Sequence, residues 1–333
     1  MMAAPERSTP ELAVGTATDR ARALVAERSQ DALALGREAG DLVGDPALLA
    51  ATLREGLARL ADPEYLEGIH RIAPGIGPVL GVRQPLLTAV DRGLRAVTRR
   101  DRPTTLLDVA TALLRQPELE LHWLAFHVLD RTITAEPEQT WQAVRAESRR
   151  AGDWITVDSL AHVVGRGVLA EPYRWAELEQ LVYSPSRWER RLAGSTVATI
   201  PHVDRDTGRT PGVARRGLAI VGDLIGDAEP DVQKALSWAL RAMSLVDEAA
   251  TVAFLRREAA TARDAGDGYR AWVVRDALEK LPAGTAQGIR DAVDGIRRRP
   301  GAPSTSRAAS AAADFLHLGV AVPPAERTPI DRT

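Results

Sequence analysis

The sequence predicts an all-α chain, a solenoid of stacked antiparallel helices with a basic groove on its concave face. Three observations carry that expectation. Alanine, leucine and arginine dominate a chain of 333 residues, 45% of them hydrophobic, which favours helix. Apolar residues recur at helical spacing, and no strand pattern competes. One short segment also returns along the chain: Trp188-Glu189-Arg190-Arg191-Leu192-Ala193, Asp231-Val232-Gln233-Lys234-Ala235-Leu236 and Trp272-Val273-Val274-Arg275-Asp276-Ala277, with a cation at one register, Arg191, Lys234 and Arg275.

These cations lie 43 and 41 residues apart, within the period of HEAT-type helix pairs. The expected architecture is therefore an α-solenoid of HEAT-like antiparallel helix repeats, equivalent helices lining the concave face. Residues 1–18 are polar and unpatterned, and are expected to be disordered. From Arg20 to Leu60 two helices are expected, broken at Gly40, Gly44 and Asp45-Pro46. A further helix lies at Glu118-Leu119-Glu120-Leu121-His122-Trp123-Leu124-Ala125. Stepping the register back by 33 residues from Arg191 reaches Asp158, on a helix capped by Asp153. Pro185 and Pro230 stand just ahead of two repeat helices, where proline is tolerated. Residues 202–211 are too polar for a core and read as an insertion between repeats. Arg297-Arg298-Arg299-Pro300-Gly301-Ala302-Pro303-Ser304 opens a segment rich in Pro, Ser and Ala. The expected organisation is thus a repeat domain over 19–295 and a flexible tail over 296–333.

Composition removes several function classes. Without cysteine there is no disulfide or thiolate chemistry, and the six histidines lack metal-ligand spacing, so neither a metal nor another cofactor is expected. No phosphate-binding glycine loop is found. No apolar stretch reaches about 18 residues, so no membrane span is expected. Met1-Met2-Ala3-Ala4-Pro5-Glu6-Arg7-Ser8 lacks the apolar run of a secretory signal, which predicts a cytoplasmic protein. The net charge of −2 looks unsuited to a nucleic-acid binder. Its distribution matters more. Nearly every cation is arginine, Lys234 and Lys280 excepted, and many acids lie in the amino-terminal third and in turns. Arginine's planar fork suits phosphate.

Asp158 occupies the register where later repeats carry Arg191, Lys234 and Arg275, an anion set into a basic groove. Trp154 and Asp158, one turn apart, share a helix face. Lys234, Trp238 and Arg241 fall at i, i+4 and i+7 and form a cation–aromatic–cation stripe. Arg187 and Arg191 flank Trp188 one repeat earlier. Arginines interleaved with tryptophans can hold a phosphate backbone and pack against sugars or bases. Taken singly, Trp188 and Trp238 also read as core residues, because tryptophan on a helix is usually buried.

Three elements in order, Trp154-x-x-x-Asp158-Ser159, Ser186-Arg187-Trp188-x-x-Arg191-x-Ala193 and Val232-x-Lys234-Ala235-x-x-Trp238-x-Leu240-Arg241, resemble the DNA alkylation-repair glycosylases of the AlkD type, built from HEAT-like repeats. With weaker matches around Gly81-Val82-Arg83-Gln84-Pro85, the resemblance spans roughly residues 60–285. It implies hydrolysis of the N-glycosidic bond of cationic alkylated purines (3-methyladenine, 7-methylguanine or bulkier adducts) in duplex DNA, without enclosing the base in a pocket. It further implies that Asp158 is the catalytic carboxylate, that Trp154 and Trp238 contact the deoxyribose, and that Arg191 belongs to the DNA-binding face. Arg187, Trp188, Lys234 and Arg241 join that face by position. The family carries an aromatic nine residues before the glycine matched by Gly81; here that position is Ile72, with Tyr65 and His70 off register.

The chemistry suits these residues. A purine alkylated at a ring nitrogen is already a good leaving group, and positive charge develops on the sugar as its bond stretches. A carboxylate there stabilises the transition state more than the ground state. Aromatic faces add about 0.5 to 2 kcal/mol. The expected protein is a monomeric base-excision enzyme, cytoplasmic and associated with the nucleoid when bound to DNA. The competing expectation is a non-catalytic HEAT-repeat scaffold for nucleic acid or protein, which gives no reason to isolate Asp158 among cations.

Overall fold

The structure, a computed structural model, describes residues 16–316. Among them are sixteen α-helices, three short 3-10 turns and no strand. The amino-terminal helices are α1 (Ala17–Asp41), α2 (Pro46–Leu60), α3 (Pro63–Ile72), α4 (Gln84–Val97), α5 (Pro103–Leu114), α6 (Leu119–Thr132) and α7 (Pro137–Arg150). They are followed by α8 (Trp154–Ala170), α9 (Arg174–Gln180), α10 (Arg187–Val203), α11 (Pro211–Leu224), α12 (Pro230–Ser244), α13 (Glu248–Ala265), α14 (Gly268–Asp276), α15 (Ala283–Ala292) and α16 (Arg307–Leu316).

Local chemistry sets these boundaries. Proline is the first residue of α2, α3, α5, α7, α11 and α12, where its missing N–H breaks no helical bond. Side chains of Thr16, Asp45, Asp153, Thr210 and Asp247 cap α1, α2, α8, α11 and α13. Of the break expected at Gly40, Gly44 and Asp45-Pro46, Gly44 and Asp45 fall between α1 and α2 and Pro46 opens α2, whereas Gly40 lies buried inside α1.

From α4 onward the helices form two layers. α4, α6, α8, α10, α12 and α14 pack side by side in series, while α5, α7, α9, α11, α13 and α15 each pack behind a member of that row. This is an all-α helical-repeat solenoid, with leucine, valine and alanine continuous between the layers. α1 closes one end against α4 through facing glycines: a Cβ on Gly36 would lie 2.0 Å from the Val90 carbonyl oxygen, and one on Gly93 2.3 Å from that of Leu33.

Two segment boundaries differ from the sequence expectations. α10 continues through Pro201 to Val203, so the polar linker is confined to residues 204–210. There Asp204 Oδ1 accepts the N–H groups of Asp206 and Thr207, at 2.8 and 2.9 Å. The tail expectation also needs correction, because residues 296–316 pack against the repeats. The Arg298 guanidinium lies 4.7 Å from the Trp272 ring centre and donates to Gln233. Thr305 bonds Gly226 and Asp267, Ser306 and Ala308 are buried, and α16 rests on α11. This segment docks through backbone and hydroxyl hydrogen bonds more than through apolar area, which composition understates. Residues 1–15 and 317–333 lie outside the described residues.

A chain ending at Ile296 is therefore expected to be less stable than the full chain by about 2 to 4 kcal/mol, at roughly 1 kcal/mol per lost hydrogen bond. Denaturant titration of both chains measures this; coincident transitions would show that the docked segment adds nothing.

Candidate active site

α8 begins at Asp153, whose carboxylate accepts the Thr156 N–H at 2.8 Å and its hydroxyl at 2.7 Å. That cap fixes the register of the helix. Val157, Leu160, Ala161, Val164 and Val168 are buried. Trp154, Asp158, His162 and Arg166, spaced by four, line a cleft of about 500 Å³. α6 contributes Trp123, His127 and Asp130, α10 contributes His202 and Val203, and Trp238 of α12 and Gln84 of α4 complete the walls named here.

Asp158 is held from behind by α10. The Arg191 guanidinium makes a fork to it, Nε to Oδ1 at 3.0 Å and Nη2 to Oδ2 at 2.7 Å, and Ser195 Oγ donates to Oδ1 at 2.6 Å. Arg191 Nη1 donates to the Asp231 carbonyl on α12 at 2.6 Å, so one side chain ties three neighbouring helices together. Arg191 is 5% exposed, whereas the Asp158 side chain keeps 20% exposure. The carboxylate is thus fixed on its buried side and open on the other. Such preorganisation lets a charge act on a developing cation without first reorienting.

The rest of the cleft is aromatic and titratable. Trp123 packs against His127, the ring centres 3.8 Å apart and the planes inclined by 37°. Arg166 Nε donates to Asp130 at 2.6 Å. Desolvation, reinforced by His127 and His202, lowers the pKa of His162 against the opposing pull of Asp130 and Asp158.

A buried glutamate organises the end of the cleft near Gln84. The Glu120 carboxylate accepts the N–H groups of Leu80, Gly81 and Val82 at 3.0, 2.8 and 3.1 Å. Gly81 has φ 86°, and a Cβ there would lie 2.7 Å from the Leu66 Cβ, so glycine is required twice over. Arg83 pairs with Asp62 at 2.5 Å, fastening the start of α3 to this strap. Ile72, at the far end of α3, is 62% exposed and does not line the cleft.

The structure brings Trp154, Asp158 and Trp238 to one cleft and places the other expected residues outside it. Arg187 packs over Trp188 at 4.8 Å and approaches Glu229 and Asp231 at 3.5 and 3.9 Å. Lys234 is exposed, with no ion pair within 4.0 Å among the described residues. Arg241 bonds the carboxylate and carbonyl of Asp276, both at 2.9 Å. Trp188 is half-buried against the core. Arg191 needs correction as a direct DNA contact, because burial and the bonds to Asp158 and Asp231 occupy its guanidinium. Sequence reasoning missed Trp123, His127, Asp130, His162, Arg166 and His202. The spacing of Trp123, His127 and Asp130, i, i+4 and i+7, is the signal that could have found the α6 wall.

The family model described as DNA alkylation repair enzyme matches residues 53–281. The chain belongs to the DNA alkylation repair enzyme family. The matched stretch runs from α2 to the residue after the 3-10 turn Ala277–Lys280 and contains the whole cleft. A search of curated proteins finds no match. Membership makes this an enzyme of alkylated-DNA repair, and within the family stretch the cleft at Asp158 is the candidate active site.

Proposed function

We propose that the chain is a DNA glycosylase that hydrolyses the N-glycosidic bond of cationic alkylated purines in duplex DNA. It acts as a monomer, with the lesion against an open cleft. The observation that carries this reading is the Asp158 carboxylate, fixed by Arg191 and Ser195 at the wall of a cleft shared with Trp154 and Trp238. As the bond from C1′ to the purine nitrogen stretches, its electrons neutralise the base and positive charge gathers on the sugar. Asp158 opposes that charge directly, and the two indole faces add cation–π attraction. Lys234 and the partly exposed Arg187 and Arg241 supply cations for the DNA backbone on α10 and α12.

Incubation with randomly methylated duplex DNA, followed by chromatography of the released bases, tests the proposal. Free 3-methyladenine or 7-methylguanine above spontaneous loss is expected. Tight binding without base release would instead fit a non-catalytic scaffold.

A further inference from the structure

The wall formed by α4 and α6 holds an acid–imidazole pair with no role in the chemistry above. His127 Nδ1 lies 3.5 Å from Asp91 Oδ2. Asp91 is 8% exposed, and its other oxygen, Oδ1, is buried with no hydrogen-bond partner among the described residues. Arg131 of α6 also faces the Asp91 carboxylate, without a hydrogen bond to it, so the imidazole is the group nearest the open side of the pair. A carboxylate on the Nδ1 side favours the tautomer with the ring proton on Nδ1, which leaves the Nε2 lone pair free. Trp123 packs against the ring, and the His127 side chain, 40% exposed, lines the same cleft as Asp158.

Asp158 is poorly placed to take a proton. Three hydrogen bonds already reach its oxygens, and protonation would break its charged fork with Arg191. We propose that His127, oriented by Asp91, accepts the proton of the attacking water, leaving Asp158 to stabilise charge on the sugar. This rests on the glycosylase reading. Water oxygen bonds to C1′ as the C1′–N bond breaks; the bond electrons pass to the cationic base, which leaves neutral. One water proton moves to His127 Nε2 and the hydroxyl stays on C1′. Asp91 then stabilises the imidazolium as a positioning residue. The other groups on the neighbouring walls are Asp130 on α6, Asp158, His162 and Arg166 on α8, and His202 on α10, with Arg131 of α6 facing Asp91. Arg166 is paired with Asp130, and burial lowers the pKa of His162, which favours its neutral form beside the new charge.

The test is single-turnover release of 7-methylguanine from duplex treated with dimethyl sulfate, between about pH 5 and 8 where histidine titrates, corrected for enzyme-free loss. The wild-type rate is expected to rise with pH and level off. His127→Gln should lower the plateau by about 10²-fold and remove the slope, with an unchanged melting transition because the ring is half-exposed. Asp91→Asn should lower the plateau as well, because the ring loses the carboxylate that orients it, while the slope remains. A slope and plateau unchanged in His127→Gln overturn the proposal, as does a slope that vanishes in His162→Gln but survives in His127→Gln. Wild-type release with no pH dependence overturns it while leaving the glycosylase reading intact. No wild-type release at any pH overturns both.

Discussion

Arg191→Ala is expected to lose stability and base release together while leaving affinity for undamaged duplex nearly unchanged. The guanidinium is buried, forks onto Asp158 and bonds the Asp231 carbonyl, so its removal strips the carboxylate of its counter-charge and opens a gap among α8, α10 and α12. Breaking a buried pair by deleting one partner costs about 3 to 5 kcal/mol. The lower end is expected here because the Asp158 side chain keeps 20% exposure, so water can solvate part of the unpaired charge. Base release should fall by at least about 10²-fold, because an unheld carboxylate must be reoriented as charge develops. Arg191→Lys keeps the charge without the fork and should fall between. Denaturant unfolding and the salt dependence of duplex binding check the division. A stable variant with a shallower salt slope would make Arg191 a phosphate contact after all.

The architecture was legible because its signals are local. Proline at first helical positions, side-chain caps and helical apolar spacing each act within a few residues. Trp154 with Asp158 was legible for the same reason, and Trp238 through the stripe it forms with Lys234 and Arg241. Contacts between helices were harder. Asp158 and Arg191 were recognised as equivalent positions in successive repeats, yet equivalent positions on stacked helices are neighbours, and opposite charges there pair. The basic groove imagined around Asp158 is, at Arg191, a buried ion pair. His127, His162 and His202 were judged only as metal ligands by chain spacing, which cannot reveal that α6, α8 and α10 bring them to one cleft. Ile72, the position of the family's aromatic, ends α3 with 62% exposure and is not part of the cleft lining.

On the proposed reading, the Asp158 carboxylate does chemistry rather than hold DNA. Asp158→Asn is close in shape and keeps an oxygen able to accept from Arg191 or Ser195, but it removes the charge that opposes the forming cation. Losing one preorganised electrostatic contact of this kind lowers rates by about 10² to 10³-fold. Ground-state binding, made to the phosphate backbone, should change little. The most direct measurement determines, on one methylated duplex, the dissociation constant and the single-turnover rate of 7-methylguanine release for wild type and Asp158→Asn. Matched affinities with a rate reduced by two orders of magnitude or more are the predicted result. Equal rates would contradict the account.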